Sequence, residues 1–203
     1  MLPRVKLLKR ALGAAYLKAA GWEAVGPPPS ESAYVLIAAP HTSNWDLPYM
    51  LAISYVLDVP IRWAGKHTLF RFPFGPAMKA LGGIPIVRHQ KSNKVQQLAG
   101  LFTRYPGLKL TVPAEGTRGR TETWKSGFYW IAQEAGVPIV CGYLDFSRKE
   151  GGFGNVVHPT GDVKADMDRI RAFYGDKTGK YPEKFGPVRL REEGGGDAGA
   201  SAA

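Results

Sequence analysis

The chain has 203 residues, 44% of them hydrophobic, which is enough to fill the core of one α/β domain. Its 27 Lys and Arg against 17 Asp and Glu give a formal net charge of +10, which favours partners bearing phosphate groups, anionic lipid or nucleic acid and chooses none of them. One cysteine, Cys141, excludes an internal disulfide and suits a reducing cytosol, and no apolar run spans a bilayer, because Asp58 and several prolines interrupt the apolar stretches.

In chain order, the first twenty residues carry Arg4, Lys6, Lys9, Arg10 and Lys18 with no acid, while Leu2, Val5, Leu8, Leu12, Tyr16 and Ala19 recur at helical spacing. This pattern predicts a basic amphipathic helix, retained rather than cleaved, because Lys9 and Arg10 break any signal-peptide core. Such a helix either docks on a membrane surface, with Trp22 as interfacial anchor, or packs on the domain as an ordinary surface helix. Residues 1–26 read as this helix and a linker, with Gly26-Pro-Pro-Pro29 as a stiff spacer, 27–193 as the folded domain, and 194–203 as a disordered small-residue tail.

Tyr34 to Ala39 reads as a buried strand stopped by Pro40, Thr42-Ser43-Asn44 as capping chemistry, and Leu47 to Leu57 as a core helix whose first turn tolerates Pro48. Further strands are predicted at Ile84 to Val87, Leu108 to Val112, Val137 to Leu144 and Phe153 to Val157. Helical stretches alternate with them near Ser92 to Tyr105, Gly127 to Ala135 and Ala165 to Tyr174. The alternation predicts an α/β fold, a single domain with a mixed, largely parallel sheet flanked by helices, plus the N-terminal amphipathic helix. Cys141, inside an apolar run, reads as a buried, inert thiol. His158 and Asp162 have one-face helical spacing, but Pro159 and Gly161 make the segment a turn, so no metal site is expected. Gly82-Gly83 lacks nucleotide-loop spacing and reads as a turn.

His41-Thr-Ser-Asn-Trp-Asp46 sets an imidazole and a carboxylate five positions apart, so the two side chains meet only across a turn, and strand-Pro-cap supplies one. Read separately, His41 is a packed or surface histidine and Asp46 a helix cap. Read together, they match a base and its orienting carboxylate, placed at the carboxyl end of a strand where open α/β sheets keep their sites.

Four blocks in order carry a resemblance. They are His41 with Asp46, then Lys66 followed by Phe74-Gly75 and Gly82-Gly-Ile-Pro-Ile-Val-Arg88, then Glu115-Gly-Thr-Arg118 with Lys125-Ser-Gly127, and last Val137-Pro-Ile-Val-Cys141. With them the chain resembles the glycerolipid acyltransferase family that includes lysophosphatidate acyltransferases, and its C-terminal part, including His158-Pro-Thr-Gly-Asp162 and Tyr181-Pro-Glu-Lys-Phe185, resembles a compact bacterial branch of that family. The resemblance implies that 27–193 is an acyltransferase domain. It implies transfer of a fatty acyl group from acyl-CoA or acyl-carrier protein to a lysophospholipid hydroxyl, 1-acyl-glycerol 3-phosphate being the expected acceptor.

Within that reading His41 and Asp46 are catalytic, and Arg88, Glu115, Gly116, Thr117, Arg118, Lys66 and Lys125 bind substrate. Arg88 and Arg118 would grip phosphate through the guanidinium fork, and backbone N–H groups around Gly116 would stabilise an oxyanion. No cofactor or metal is needed beyond the thioester co-substrate. The expected location is cytoplasmic, peripheral on the inner face of the cell membrane through the basic helix. Other acceptors (a glycolipid, an ornithine lipid, glycerol 3-phosphate) stay open, as does a non-catalytic protein that binds anionic lipid. Nucleic acid, suggested by aromatic and basic residues interleaved around Arg62 to Phe74, is not expected as a partner, since no recognised motif supports it.

Overall fold

A computed structural model describes residues 3–86 and 94–194. Among these, one sheet runs in the order β1 (Glu23–Val25), β7 (Glu150–Val157), β6 (Ile139–Asp145), β2 (Tyr34–Ala39), β5 (Lys109–Val112), β3 (Arg62–Lys66) and β4 (Gly83–Ile86). Every pairing is parallel except β6 with β7, so the sheet is mixed and largely parallel, as the alternating pattern predicts.

Helices cover both faces, which is why β2 is apolar at every position rather than at alternate ones. Val35, Ile37 and Ala39 share a core with Leu110, Ile139 and Cys141 and with residues of α4 (Lys94–Arg104), α5 (Gly127–Ala135) and α6 (Val163–Tyr174). On the other face Tyr34, Leu36 and Val140 pack against Leu51 of α2 (Asp46–Val56) and against Val59 and Ile61. Burial pushes the Cys141 thiol up to about 12, consistent with an inert core residue. Asp162 caps α6 by accepting from the Ala165 N–H at 3.0 Å.

Sequence pattern does not single out β1, β3 or the six-residue α3 (Gly75–Ala80). Glu-Ala-Val is too short for any periodicity, and Arg-Trp-Ala-Gly-Lys carries two cations in five residues. Both become strands because their partners complete them: β1 adds to β7, and β3 lies between β5 and β4. The expected strand at 84–87 is β4, with Val87 outside the described residues, as is most of the expected tail.

The N-terminal helix α1 (Pro3–Ala20) packs antiparallel on α2, and of the stripe that sequence periodicity marks Tyr16 takes part, 5.4 Å from Tyr49, while the preceding apolar positions do not. Gly13 and Leu17 are buried, whereas Val5, Leu8 and Leu12 stay exposed, Leu8 and Leu12 at 60% each. Close approach requires glycine at position 13, since a Cβ there would lie 2.8 Å from the Ala52 carbonyl oxygen. Trp22, expected as an interfacial anchor, is instead 8% exposed, stacked on Tyr49 at 4.2 Å and edge-on to Phe146 at 4.7 Å. Its ring gains more from that aromatic pocket than from a surface position. No described helix is long and apolar enough to cross a membrane.

The helix pair gives a direct prediction. Gly13→Val should force α1 off α2 and lower unfolding stability by about 1–3 kcal/mol in denaturant titrations. A variant as stable as the parent would mean that α1 is only loosely attached.

Candidate active site

Parallel register assembles the site. Ile37 of β2 lies opposite Val112 of β5, and both chains run on past the sheet edge in the same direction. Four residues further on the first chain stands His41, and three further on the second stands Glu115. The His41 N–H accordingly donates to both Glu115 carboxylate oxygens, at 3.0 and 2.9 Å. The chain then turns, and Asp46 is carried back as the first residue of α2, with Trp45 at the cap position. Asp46 Oδ2 faces His41 Nδ1 at 3.0 Å and accepts the Ser43 N–H at 3.0 Å. Its other oxygen, Oδ1, is buried and takes no hydrogen bond from any described residue. With Nδ1 held by the carboxylate, the ring can carry its hydrogen there and leave Nε2 free to accept a proton.

His41 and Asp46 line a cavity of about 250 Å³ that runs beneath α2. Its walls are apolar, formed by Leu36, Ile53, Ile61, Trp63, Leu144 and Phe153, with Asn44 and Arg118 among its polar lining residues. Arg118 donates to the Asn44 side chain, which ties the Glu-Gly-Thr-Arg turn to the His41–Asp46 turn. Among the described residues, no group of three or more His, Cys, Asp and Glu is arranged to hold a metal ion.

The other expected site residues are scattered around this centre. Glu115 is only 2% exposed and its carboxylate is taken up by the His41 backbone, so it supports His41 and does not line the cavity. Gly116 adopts φ +70°, and its N–H donates to the Pro113 carbonyl at 3.1 Å. That hydrogen bond closes the turn and removes the Gly116 N–H as an oxyanion donor. Thr117 is exposed and its hydroxyl accepts from the Gly119 N–H at 3.2 Å. Lys125 is exposed, its stem lying where a Gly116 Cβ would stand, and it does not line the cavity. Lys66 ends β3 at the same sheet edge, and Arg88 lies outside the described residues.

Two contacts escape sequence reasoning. Thr42 accepts the Tyr181 N–H at 3.2 Å, and Gly179 packs so closely on Thr42 and Pro40 that a Cβ would lie 2.8 and 3.0 Å from their atoms. The segment after α6 therefore braces the His41 turn from 139 residues away. No local signal announces this. Asn44 lies inside the His41–Asp46 box, where capping chemistry alone accounts for its type.

The sequence profile of the family described as Acyltransferase matches residues 24–144, which contain the cavity-lining His41, Asp46 and Arg118. No curated protein matches the chain significantly by sequence. Among solved structures, the fold is similar to the 1-acyl-sn-glycerophosphate (LPA) acyltransferase PlsC from Thermotoga maritima, with a TM-score of 0.53 at 19% identity. That match covers 79% of this chain and 74% of the other.

Burial makes Glu115 the most perturbed carboxyl of the site. Desolvation pushes it up to about 7, the neighbouring Asp46 charge adds to the rise, and the His41 N–H opposes it. Between about 4.5 and about 7 the folded chain therefore holds a proton that the unfolded chain has released, so raising the pH through this window favours unfolding. The cost is absent below the window and complete above it, on the order of 3 kcal/mol. Glu115→Gln cannot ionise. Its melting temperature relative to the parent should rise by several degrees between about pH 5 and about pH 8, measured by thermal denaturation. A constant difference would show that Glu115 carries no such burden.

Proposed function

The chain belongs to the Acyltransferase family, and from that premise we propose that it moves a fatty acyl group from an acyl thioester to a lysophospholipid hydroxyl. The donor is acyl-CoA or acyl-carrier protein, and the acceptor is 1-acyl-glycerol 3-phosphate, the substrate class after which the structurally similar Thermotoga maritima enzyme is named. One observation carries the reading: an imidazole held by a buried carboxylate stands at an apolar cavity that suits a hydrocarbon chain.

A lipid hydroxyl is a poor nucleophile at neutral pH, so its proton must leave as the oxygen attacks. His41 Nε2 takes that proton while the hydroxyl oxygen bonds to the thioester carbonyl carbon. As the tetrahedral intermediate collapses, the carbon–sulfur bond breaks and the imidazolium returns the proton to the departing thiolate. Asp46 gains in this cycle because its Oδ1 is buried without a partner, and a positive ring beside it offsets an uncompensated negative charge. Arg118 at the cavity is the cationic fork for the acceptor phosphate, and Arg88 is its proposed companion. The exposed stripe of Val5, Leu8 and Leu12, set among the cations of α1, supports docking on the inner face of the cell membrane.

Incubating the purified chain with lipid extract and several acyl thioesters, and reading new products by mass, names donor and acceptor together. His41→Ala should lower the rate by about 100-fold or more while leaving the fold intact. A well-folded His41→Ala protein with near-normal turnover would remove the basis of the proposal.

Phosphate recognition is tested separately. Arg118→Ala should cost at least about tenfold on 1-acyl-glycerol 3-phosphate and far less on a neutral monoacylglycerol, with Arg118→Lys intermediate because it keeps charge but loses the fork. Equal losses on both acceptors would make Arg118 structural and direct the search to glycolipid or ornithine-lipid acceptors.

A further inference from the structure

The loop between β3 and α3 holds large apolar side chains out in solvent. Leu69 is 50% exposed, Phe72 92% and Phe74 69%. They stay out because the loop is pinned from beneath by Phe70. That ring lies 5.9 Å from the Trp63 ring, and a Cβ on Gly65, Gly75 or Gly83 would come within 3.0, 2.1 or 2.8 Å of Phe70 atoms. Gly65 and Gly83 thus leave room for the Phe70 ring, and Gly75 passes against the Phe70 backbone. The loop closes on itself as well, with the Gly75 N–H donating to the Arg71 carbonyl at 2.8 Å. Aromatic rings held outward on a fixed loop cannot fold back to escape water, so they gain only from an external apolar phase.

Position and charge say which phase. Trp63, on which Phe70 rests, also lines the cavity that holds His41, so the loop stands beside the candidate site. From Val59 to Ala114 the sequence contains no Asp or Glu and nine Lys or Arg, and Arg71 sits between Leu69 and Phe72. At the other end of α3, Lys9 of α1 donates to the Ala80 carbonyl at 3.3 Å. The loop and the exposed stripe of α1 are therefore joined by one helix of six residues, on the order of 9 Å long.

We propose that Leu69, Phe72 and Phe74 insert into the boundary between headgroups and acyl chains of an anionic bilayer, with Arg71 on the lipid phosphates. This deepens the acyl-transfer reading, on which its purpose rests, by giving a membrane-borne acceptor a short route to His41. The occupant is lipid rather than a protein because the outward aromatics stand on a loop with Arg71 among them, in a stretch of sequence with nine cations and no acid, a combination that interfacial segments use.

The test compares the full chain with a Leu69→Ser, Phe72→Ser double variant and with Phe72→Trp. Each is sedimented with phosphatidylcholine vesicles, with and without phosphatidylglycerol, at low and high salt. Partition of the double variant should fall at least about tenfold at both salt levels, because the lost interaction is apolar and salt does not screen it. Phe72→Trp should bind as well as the parent, and turnover of a short, soluble acceptor should stay within about twofold in all three. Unchanged partition of the double variant would overturn the proposal. So would unchanged partition combined with lost binding of acyl-carrier protein, which would make the loop a protein-docking surface, or an equal loss on the soluble acceptor, which would make it structural. If the parent transfers no acyl group yet its partition still depends on the loop, the acyl-transfer reading fails and the docking surface stands.

Discussion

A buried carboxylate on the first turn of α2 has to satisfy donors that lie behind it in sequence, and the shape of the site follows from that constraint. Asp46 Oδ2 takes the Ser43 N–H and faces His41 Nδ1, so the four residues between imidazole and carboxylate must fold into one particular turn. Glu115 holds the His41 N–H from the neighbouring strand, Arg118 holds Asn44, and Tyr181 with Gly179 closes on Thr42 from the far end of the chain. Glu115 and Arg118 come from one turn after β5, which the β2–β5 register brings beside His41, whereas Tyr181 and Gly179 come from the segment after α6.

Placing two carboxylates around one histidine has an electrostatic cost. Glu115 carries most of it, since its burial leaves it near the ordinary range of a histidine rather than an acid. The division of labour follows from geometry. Asp46 addresses the ring and Glu115 addresses the backbone, so a proton on Glu115 still leaves one oxygen free to accept the His41 N–H. In the proposed reaction the ring must gain and lose a proton without moving, and a backbone clamp serves that need better than a contact to the ring.

Much of this was legible in the sequence, for physical reasons. Strands buried on both faces, such as Tyr34 to Ala39, are continuous apolar runs, and Pro40 marks where the chain leaves the sheet; the capping expected of Thr42-Ser43-Asn44 is not what starts α2, since Trp45 stands at the cap position without a side-chain cap hydrogen bond. The His41–Asp46 pairing could be read because a five-residue offset is useless on a helix. Less could be read where tertiary contacts decide. β3 is a strand because β5 and β4 flank it, and the face of α1 that is buried was set by Gly13 meeting Ala52 rather than by the larger apolar side chains. Glu115 was legible as a site residue but not as a support for the backbone, because sequence does not tell which way a strand-end carboxylate turns. Trp22 illustrates the same limit. Its type suits an interface, and only the positions of Tyr49 and Phe146 reveal the pocket that takes it.

Whether a carboxylate-held imidazole performs the chemical step is read from the steady-state kinetics of Asp46→Asn. The substitution keeps size and shape but spoils the tautomer and removes the charge that stabilises the imidazolium. With the imidazole as base, kcat should fall by about 100-fold or more while KM for thioester and acceptor stays nearly unchanged. An Asp46→Asn enzyme with parental kcat and a raised KM would place the carboxylate in substrate binding and contradict the claim.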